Sequence, residues 1–118
     1  MDIYREYILD LYKNPLNKKR LPAADVSGQG DNASCGDVIS MQLRFENDIV
    51  IDIGFQGDGC AISQAAASLI TDEVKGKSIA DIALISDGQM MDMLQIPISH
   101  TRHKCALLAL KTIKKAIE

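Results

Sequence analysis

Ile39-Ser40-Met41-Gln42-Leu43-Arg44-Phe45-Glu46-Asn47-Asp48-Ile49-Val50-Ile51-Asp52-Ile53-Gly54-Phe55 is the stretch that decides the fold class. Ile39, Met41, Leu43 and Phe45 alternate with Ser40, Gln42, Arg44 and Glu46, the period-two pattern of a strand with one face buried. Asn47-Asp48 makes a turn, and Ile49, Ile51, Ile53 and Phe55 alternate again, with Val50, Asp52 and Gly54 between them. Two such runs across a short polar turn predict an antiparallel hairpin. A shorter strand around Asp25-Val26-Ser27 extends the sheet at one edge.

Outside the hairpin the period changes. Upstream, Ile3, Tyr7, Ile8 and Leu11 recur at helical spacing, Tyr4 and Tyr12 widen the stripe, and Asn14-Pro15 stops it. Downstream, Gly57-Asp58-Gly59 ends the strand, and Ala61, Ile62, Ala65, Ala66, Leu69, Ile70 and Val74 trace a helix that Lys75-Gly76 closes. Ser78 caps a short helix through Ile79, Ile82 and Leu84. Asp87-Gly88 breaks the chain before another short helix over Met90–Leu94, which Pro97 ends. Met90, Met91 and Met93 read there as core filler rather than a soft metal site. A last helix starts near Ser99 or Thr101 and runs through Leu107, Leu110 and Ile113, with Lys111, Lys114 and Lys115 late, where cations suit the dipole. Strands followed by grouped helices predict an α+β fold: a small antiparallel three-stranded sheet with helices packed on one face. Residues 1–118 make a single domain with one modest core.

Composition excludes several classes of function. The slight acidic excess supplies no basic field for nucleic acid. Lys18-Lys19-Arg20 is too short to change that and reads as a solvated loop. Met1–Glu6 is charged and lacks an apolar h-region, and no run is long enough to span a bilayer. The chain is therefore expected in the cytoplasm, where its three cysteines are thiols or metal ligands rather than disulfides. In that compartment the glycosylation sequon Asn32-Ala33-Ser34 carries no meaning.

Each cysteine falls at a break between elements. Cys35 precedes the first long strand, Cys60 sits where strand gives way to helix, and Cys105 lies in the first turns of the last helix. Free N–H groups at a helix N-terminus stabilise a thiolate, and Arg102 and Lys104 act on Cys105 in the same direction. Asp37 offers an oxygen from the Cys35 loop. Three thiolates and a carboxylate make a tetrahedral shell suited to zinc or to cluster iron. A free cysteine is more often a small buried hydrophobe, but three of them beside Gly or basic residues at boundaries favour one shared site. No Cys-x-x-Cys is present, which disfavours a zinc ribbon or a thioredoxin-type motif. Gly28-Gln29-Gly30-Asp31-Asn32-Ala33 matches a dinucleotide fingerprint, but a strand and not a helix follows it. His100 and His103 near Cys105 suggest a Cys/His nucleophilic pair, against the commoner exposed histidines of a helix start.

The blocks Tyr12-Lys13-Asn14-Pro15, Ser34-Cys35-Gly36-Asp37, Phe55-Gln56-Gly57-Asp58-Gly59-Cys60-Ala61-Ile62-Ser63, Lys75-Gly76-Lys77 and Lys104-Cys105-Ala106 occur in this order. With them the chain resembles the IscU/SufU/NifU-N-terminal family of iron–sulfur cluster assembly proteins over nearly its whole length. The resemblance implies an IscU/SufU-like α+β fold and a site of Cys35, Asp37, Cys60 and Cys105. It implies a scaffold, not an enzyme, which receives persulfide sulfur from a cysteine desulfurase, and the basic neighbours of Cys105 mark that thiolate as the expected acceptor. The scaffold assembles a [2Fe–2S] cluster and passes it to apo iron–sulfur acceptor proteins. Asp37 suits release, because a carboxylate holds soft cluster iron less firmly than a thiolate does.

The subfamily features are mixed. IscU-type proteins carry His just before the last cysteine, where this chain has Lys104, as SufU-type proteins do. The insertion usual in SufU-type proteins between the second and third cysteines is absent. So is the Leu-Pro-Pro-Val-Lys chaperone segment of IscU, replaced by Leu94-Gln95-Ile96-Pro97-Ile98. The alternative expectation is therefore a zinc-bound SufU-type sulfur-transfer protein using the same ligands, and a more distant one is a thiol enzyme pairing Cys105 with a histidine. No nucleic-acid or membrane partner is expected, and a homo-oligomer is left open.

Overall fold

The computed structural model describes residues 3–33 and 35–118, without the side chains of Ile3 and Tyr4. Met1, Asp2 and Ser34 thus lie outside the described residues, as do the side chains of Ile3 and Tyr4 that the helix stripe includes. Helix α1 (Ile3–Lys13) leads into strands β1 (Val26–Asn32), β2 (Asp37–Glu46) and β3 (Ile49–Asp58). Four helices follow: α2 (Ala61–Val74), α3 (Ile79–Ala83), α4 (Asp87–Leu94) and α5 (His103–Ala116), the last entered through a 3₁₀ turn at His100–Arg102. The strands form one antiparallel sheet in the order β1-β2-β3. The chain is thus α+β, with its helices on one sheet face as the strand–helix order predicts. None of the described helices is long and apolar enough to cross a membrane.

The hairpin turn forms as read. Asn47 and Asp48 both take positive φ, 54° and 62°, the signature of the two-residue turn that matches strand twist. The second strand departs from simple alternation. Arg44 pairs with Asp52 but Phe45 pairs with Val50, so Ile51 is an extra residue, a bulge. Past it the faces exchange. Val50 is buried in place of Ile49 and Ile51, which are 41% and 46% exposed, while Ile53 and Phe55 stay in the core as expected.

Strand β1 is longer than the Asp25–Ser27 segment expected, because its pattern carries no apolar alternation. Its glycines explain that. A Cβ on Gly28 would lie 3.0 Å from the Ala116 Cβ, and one on Gly30 would run into the Thr112 hydroxyl. The Gly28-Gln29-Gly30 pair lets α5 lie directly on the sheet edge, so the apparent dinucleotide fingerprint is a packing device.

Asp87-Gly88 opens α4 rather than breaking the chain ahead of it. Ser86 caps the helix and accepts from the Gln89 N–H at 3.1 Å, while Gln89 returns a bond to the Ser86 N–H at 2.7 Å. Met90 is fully buried and Met91 and Met93 pack on the core, as core filler does. Central to the helical layer is α2, whose Ala65, Ala66 and Ala67 are fully buried and allow neighbours to approach closely.

Candidate metal centre

The helix-facing row of each strand ends at the same edge of the sheet. Asn32, the last residue of β1, pairs with Asp37, the first of β2, and both are buried. Strand β3 leaves the sheet there through Gly59 and Cys60, and α5 arrives above it with Cys105 in its first turn. One corner therefore gathers the loop carrying Cys35, the end of β2, the N-terminus of α2 and the N-terminus of α5.

The three cysteines differ in access: Cys35 is exposed, Cys60 half-buried and Cys105 fully buried. Cys105 Sγ lies 3.0 Å from Cys35 Sγ. A donor atom from each of Cys35, Asp37 and Cys105 lies within 4.8 Å of the others. Cys60 stands outside that tightest group but beside it. Its backbone N–H donates to Asp37 Oδ1 at 3.0 Å, and with Cys35, Thr101 and Arg102 it lines an open depression of about 420 Å³.

Asp37 is held by one oxygen and free at the other. Oδ1 accepts the Cys60 N–H and, at 3.3 Å, the Ser63 hydroxyl. A Cβ at position 59 would come within 2.5 Å of that oxygen, so the carboxylate rests where only glycine leaves room. Oδ2 is buried with no partner among the described residues. A buried carboxylate oxygen without a donor costs more than the roughly 1–3 kcal/mol of a neutral orphan group, and a cation at that position removes the penalty. The orphan oxygen and the adjacent soft sulfurs are the donor types that a zinc or cluster-iron site uses.

The electrostatics differ from those expected at Cys105. Burial raises the Cys105 thiol, and its contacts with Cys35 and Asp37 raise it further, leaving it well above the usual thiol range. Lys104 is exposed, and Arg102 interacts chiefly with Cys60. At Cys60 burial also pushes upward, but the Ser63 N–H pulls down. The Asp37 charge opposes that, and Cys105 and the Ile62 N–H tip the balance, so the thiol ends below its ordinary value. The N-terminus of α2 thus lowers the Cys60 thiol, while burial and its neighbours raise that of Cys105. The upward shift at Cys105 runs against the lowering expected there from Arg102 and Lys104.

His103 does not join the cluster. Its Nε2 hydrogen-bonds with the Ile98 carbonyl at 3.1 Å and its ring lies 5.6 Å from that of His100. The side-chain hydrogen-bonding neighbours of Cys105 are Asn32 and Cys35, so the Cys/His pair of a thiol enzyme is not formed among the described residues. Asn32 and Ser63 are the site residues the sequence reading missed. Ser63 stood within a quoted block, three residues after Cys60, at the spacing where a hydroxyl returns to a helix N-terminus.

The family model for the NifU-like N-terminal domain matches residues 3–118. The zinc-dependent sulfurtransferase SufU of Bacillus subtilis is 35% identical, over 98% of this chain and 89% of that protein. The iron–sulfur cluster assembly scaffold protein IscU of Haemophilus influenzae is 36% identical, over 97% of this chain and 92% of its own length. Among solved structures, the putative SUF-system scaffold from Fervidobacterium islandicum superposes with a TM-score of 0.84 at 26% identity, covering 96% of this chain and 95% of that one. A NifU-like N-terminal protein from Brucella abortus has a TM-score of 0.79 at 22% identity and covers 98% and 92%, which supports the fold alone.

Proposed function

The chain belongs to the NifU-like N-terminal domain family, and on that premise we propose that it assembles iron–sulfur clusters on Cys35, Asp37, Cys60 and Cys105 and hands them to acceptor proteins. The observation that carries this reading is the partnerless buried oxygen of Asp37 beside three thiols at one corner of the sheet. Its Oδ1 is anchored by the α2 N-terminus, so Oδ2 can meet a metal without any rearrangement of the loop.

Cluster assembly needs sulfur and iron as substrates. A cysteine desulfurase is the source of persulfide sulfur in this reading. Cys35 is the exposed thiol at which delivery from another protein is sterically free, and Cys105 lies 3.0 Å behind it as the next acceptor. Moving a sulfane sulfur from Cys35 to Cys105 breaks one S–S bond and forms another, and the Cys105 proton returns to the Cys35 thiolate. The product is a [2Fe–2S] cluster bound by the four residues. Asp37 supplies the hard oxygen ligand that an incoming acceptor thiol displaces most easily.

A second reading, zinc-bound sulfur transfer, draws on the compactness of the site. Two metal–sulfur bonds of about 2.3 Å at a tetrahedral angle put their sulfurs about 3.8 Å apart. The 4.8 Å span of Cys35, Asp37 and Cys105 suits one such ion, and Lys104 stands where SufU-type proteins have lysine. Metal and acid-labile sulfide analysis of protein purified without oxygen separates the two. Iron and sulfide in equal amounts, with transfer to an apo-ferredoxin, is the expected result. Tight stoichiometric zinc that blocks reconstitution supports the relay, and protein that binds neither refutes both.

A further inference from the structure

Asn32 is an unusual residue to find 7% exposed at the end of an edge strand. It lies in the helix-facing row of β1, directly across from Asp37, where its neighbours are the thiols rather than the solvent. Its two halves serve the two cysteine-bearing segments. The backbone carbonyl accepts the Cys35 N–H at 3.2 Å, which shapes the turn that presents that thiol. The side-chain amide reaches the other way and donates from Nδ2 to Cys105 Sγ at 3.5 Å. No other side-chain hydrogen bond of Asn32 is formed among the described residues.

We propose that Asn32 is a positioning residue that donates a hydrogen bond to the metal-bound sulfur of Cys105, fixing that ligand and lowering its electron donation. The inference rests on the metal-site reading above. A coordinated thiolate has lone pairs and no proton, so only the NH₂ side of the amide can face it, and the orientation of Asn32 is thereby set. Hydrogen bonds to an ionised acceptor are among the stronger ones, and this one lies in a buried corner where water does not compete. An N–H···S bond withdraws density from sulfur, which lowers the energy of the filled sulfur orbital. The metal then holds a weaker donor in a better-defined place.

Cobalt(II) is a suitable probe, because its sulfur-to-metal charge-transfer band reads the donor strength of each thiolate. Asn32→Ala removes the donor, and Asn32→Leu removes it while keeping the volume. Both retain the backbone carbonyl that holds the Cys35 N–H. The parent is expected to bind cobalt with an intense charge-transfer band and tetrahedral d–d bands. In both variants the band is expected to move to longer wavelength, and cobalt affinity to fall roughly 10- to 100-fold, the range for loss of an outer-shell partner. The far-ultraviolet circular dichroism and the thermal midpoint should stay close to the parent's. An unmoved band in folded variants overturns the role of Asn32 and leaves the metal site standing. Loss of fold in both variants assigns Asn32 a structural role instead. A parent that binds no cobalt overturns the metal-site reading and this inference together.

Discussion

Serine at Cys35, Cys60 or Cys105 is expected to weaken metal binding by more than the roughly 100-fold that an outer-shell change costs. Each substitution removes a ligand itself. A serine hydroxyl is not ionised at neutral pH, and its oxygen is a poor donor to a soft ion. The test is most informative at Cys60, whose sulfur is outside the tightest cluster of Cys35, Asp37 and Cys105. Its bond to Asp37 runs through the backbone N–H and survives the change, so Cys60→Ser leaves the Asp37 carboxylate anchored. Competition with a chelator gives the affinities. A Cys60→Ser protein that binds within tenfold of the parent would remove that sulfur from the ligand set.

Alanine at Gly57 is expected to cost about 3 kcal/mol or more, from backbone strain of about 1–3 kcal/mol and overpacking of similar size. Gly57 has φ +142°, a region that side chains rarely adopt. A Cβ there would strike the Val38 carbonyl oxygen and lie 2.9 Å from the Ile39 Cα, backbone that is itself in the middle strand and cannot swing aside. A loss of this size is a large share of a small domain's stability and lowers the thermal midpoint by about 10 °C or more. Thermal unfolding followed by circular dichroism measures it. A midpoint within about 3 °C of the parent's would mean that the β2–β3 register next to the site is looser than described.

The elements legible in the sequence were those whose burial has one period. Ile39, Met41 and Leu43 alternate because β2 has one face on the helices, and the structure buries all three. Two things hid the rest. The bulge at Ile51 inserts a residue, and nothing in a run of alternating isoleucines says where the alternation slips. In β1 the helix-facing positions 28 and 30 are glycines that admit α5 closely and position 32 is Asn, so Val26 alone carries an apolar signal. Propensity describes a chain's own preferences, and both of these features answer to a partner element.

The site was legible at the level of residue type and position. Cysteines at element boundaries, with Gly beside Cys35 and Cys60, pointed to one corner, and the fold brings those boundaries together. What spacing could not carry was the environment of each sulfur. Arg102 is three residues from Cys105 in the chain but acts on Cys60 in space. Cys105 follows two cations yet is buried and raised. Asn32 gave no signal because its role depends on an α5 residue far along the chain.

Cluster assembly and zinc binding both require that three sulfurs and one carboxylate oxygen form a single ligand set. X-ray absorption at the zinc edge of the zinc-loaded protein tests it most directly. The account predicts three sulfurs at about 2.3 Å and one oxygen at about 2.0–2.2 Å, with no imidazole scattering. In an Asp37→Ala protein the oxygen should be lost or replaced by water while the sulfurs remain. Two sulfurs or fewer, or the outer-shell pattern of a histidine ring in the parent, would contradict the assignment of Cys35, Asp37, Cys60 and Cys105 as the ligand set.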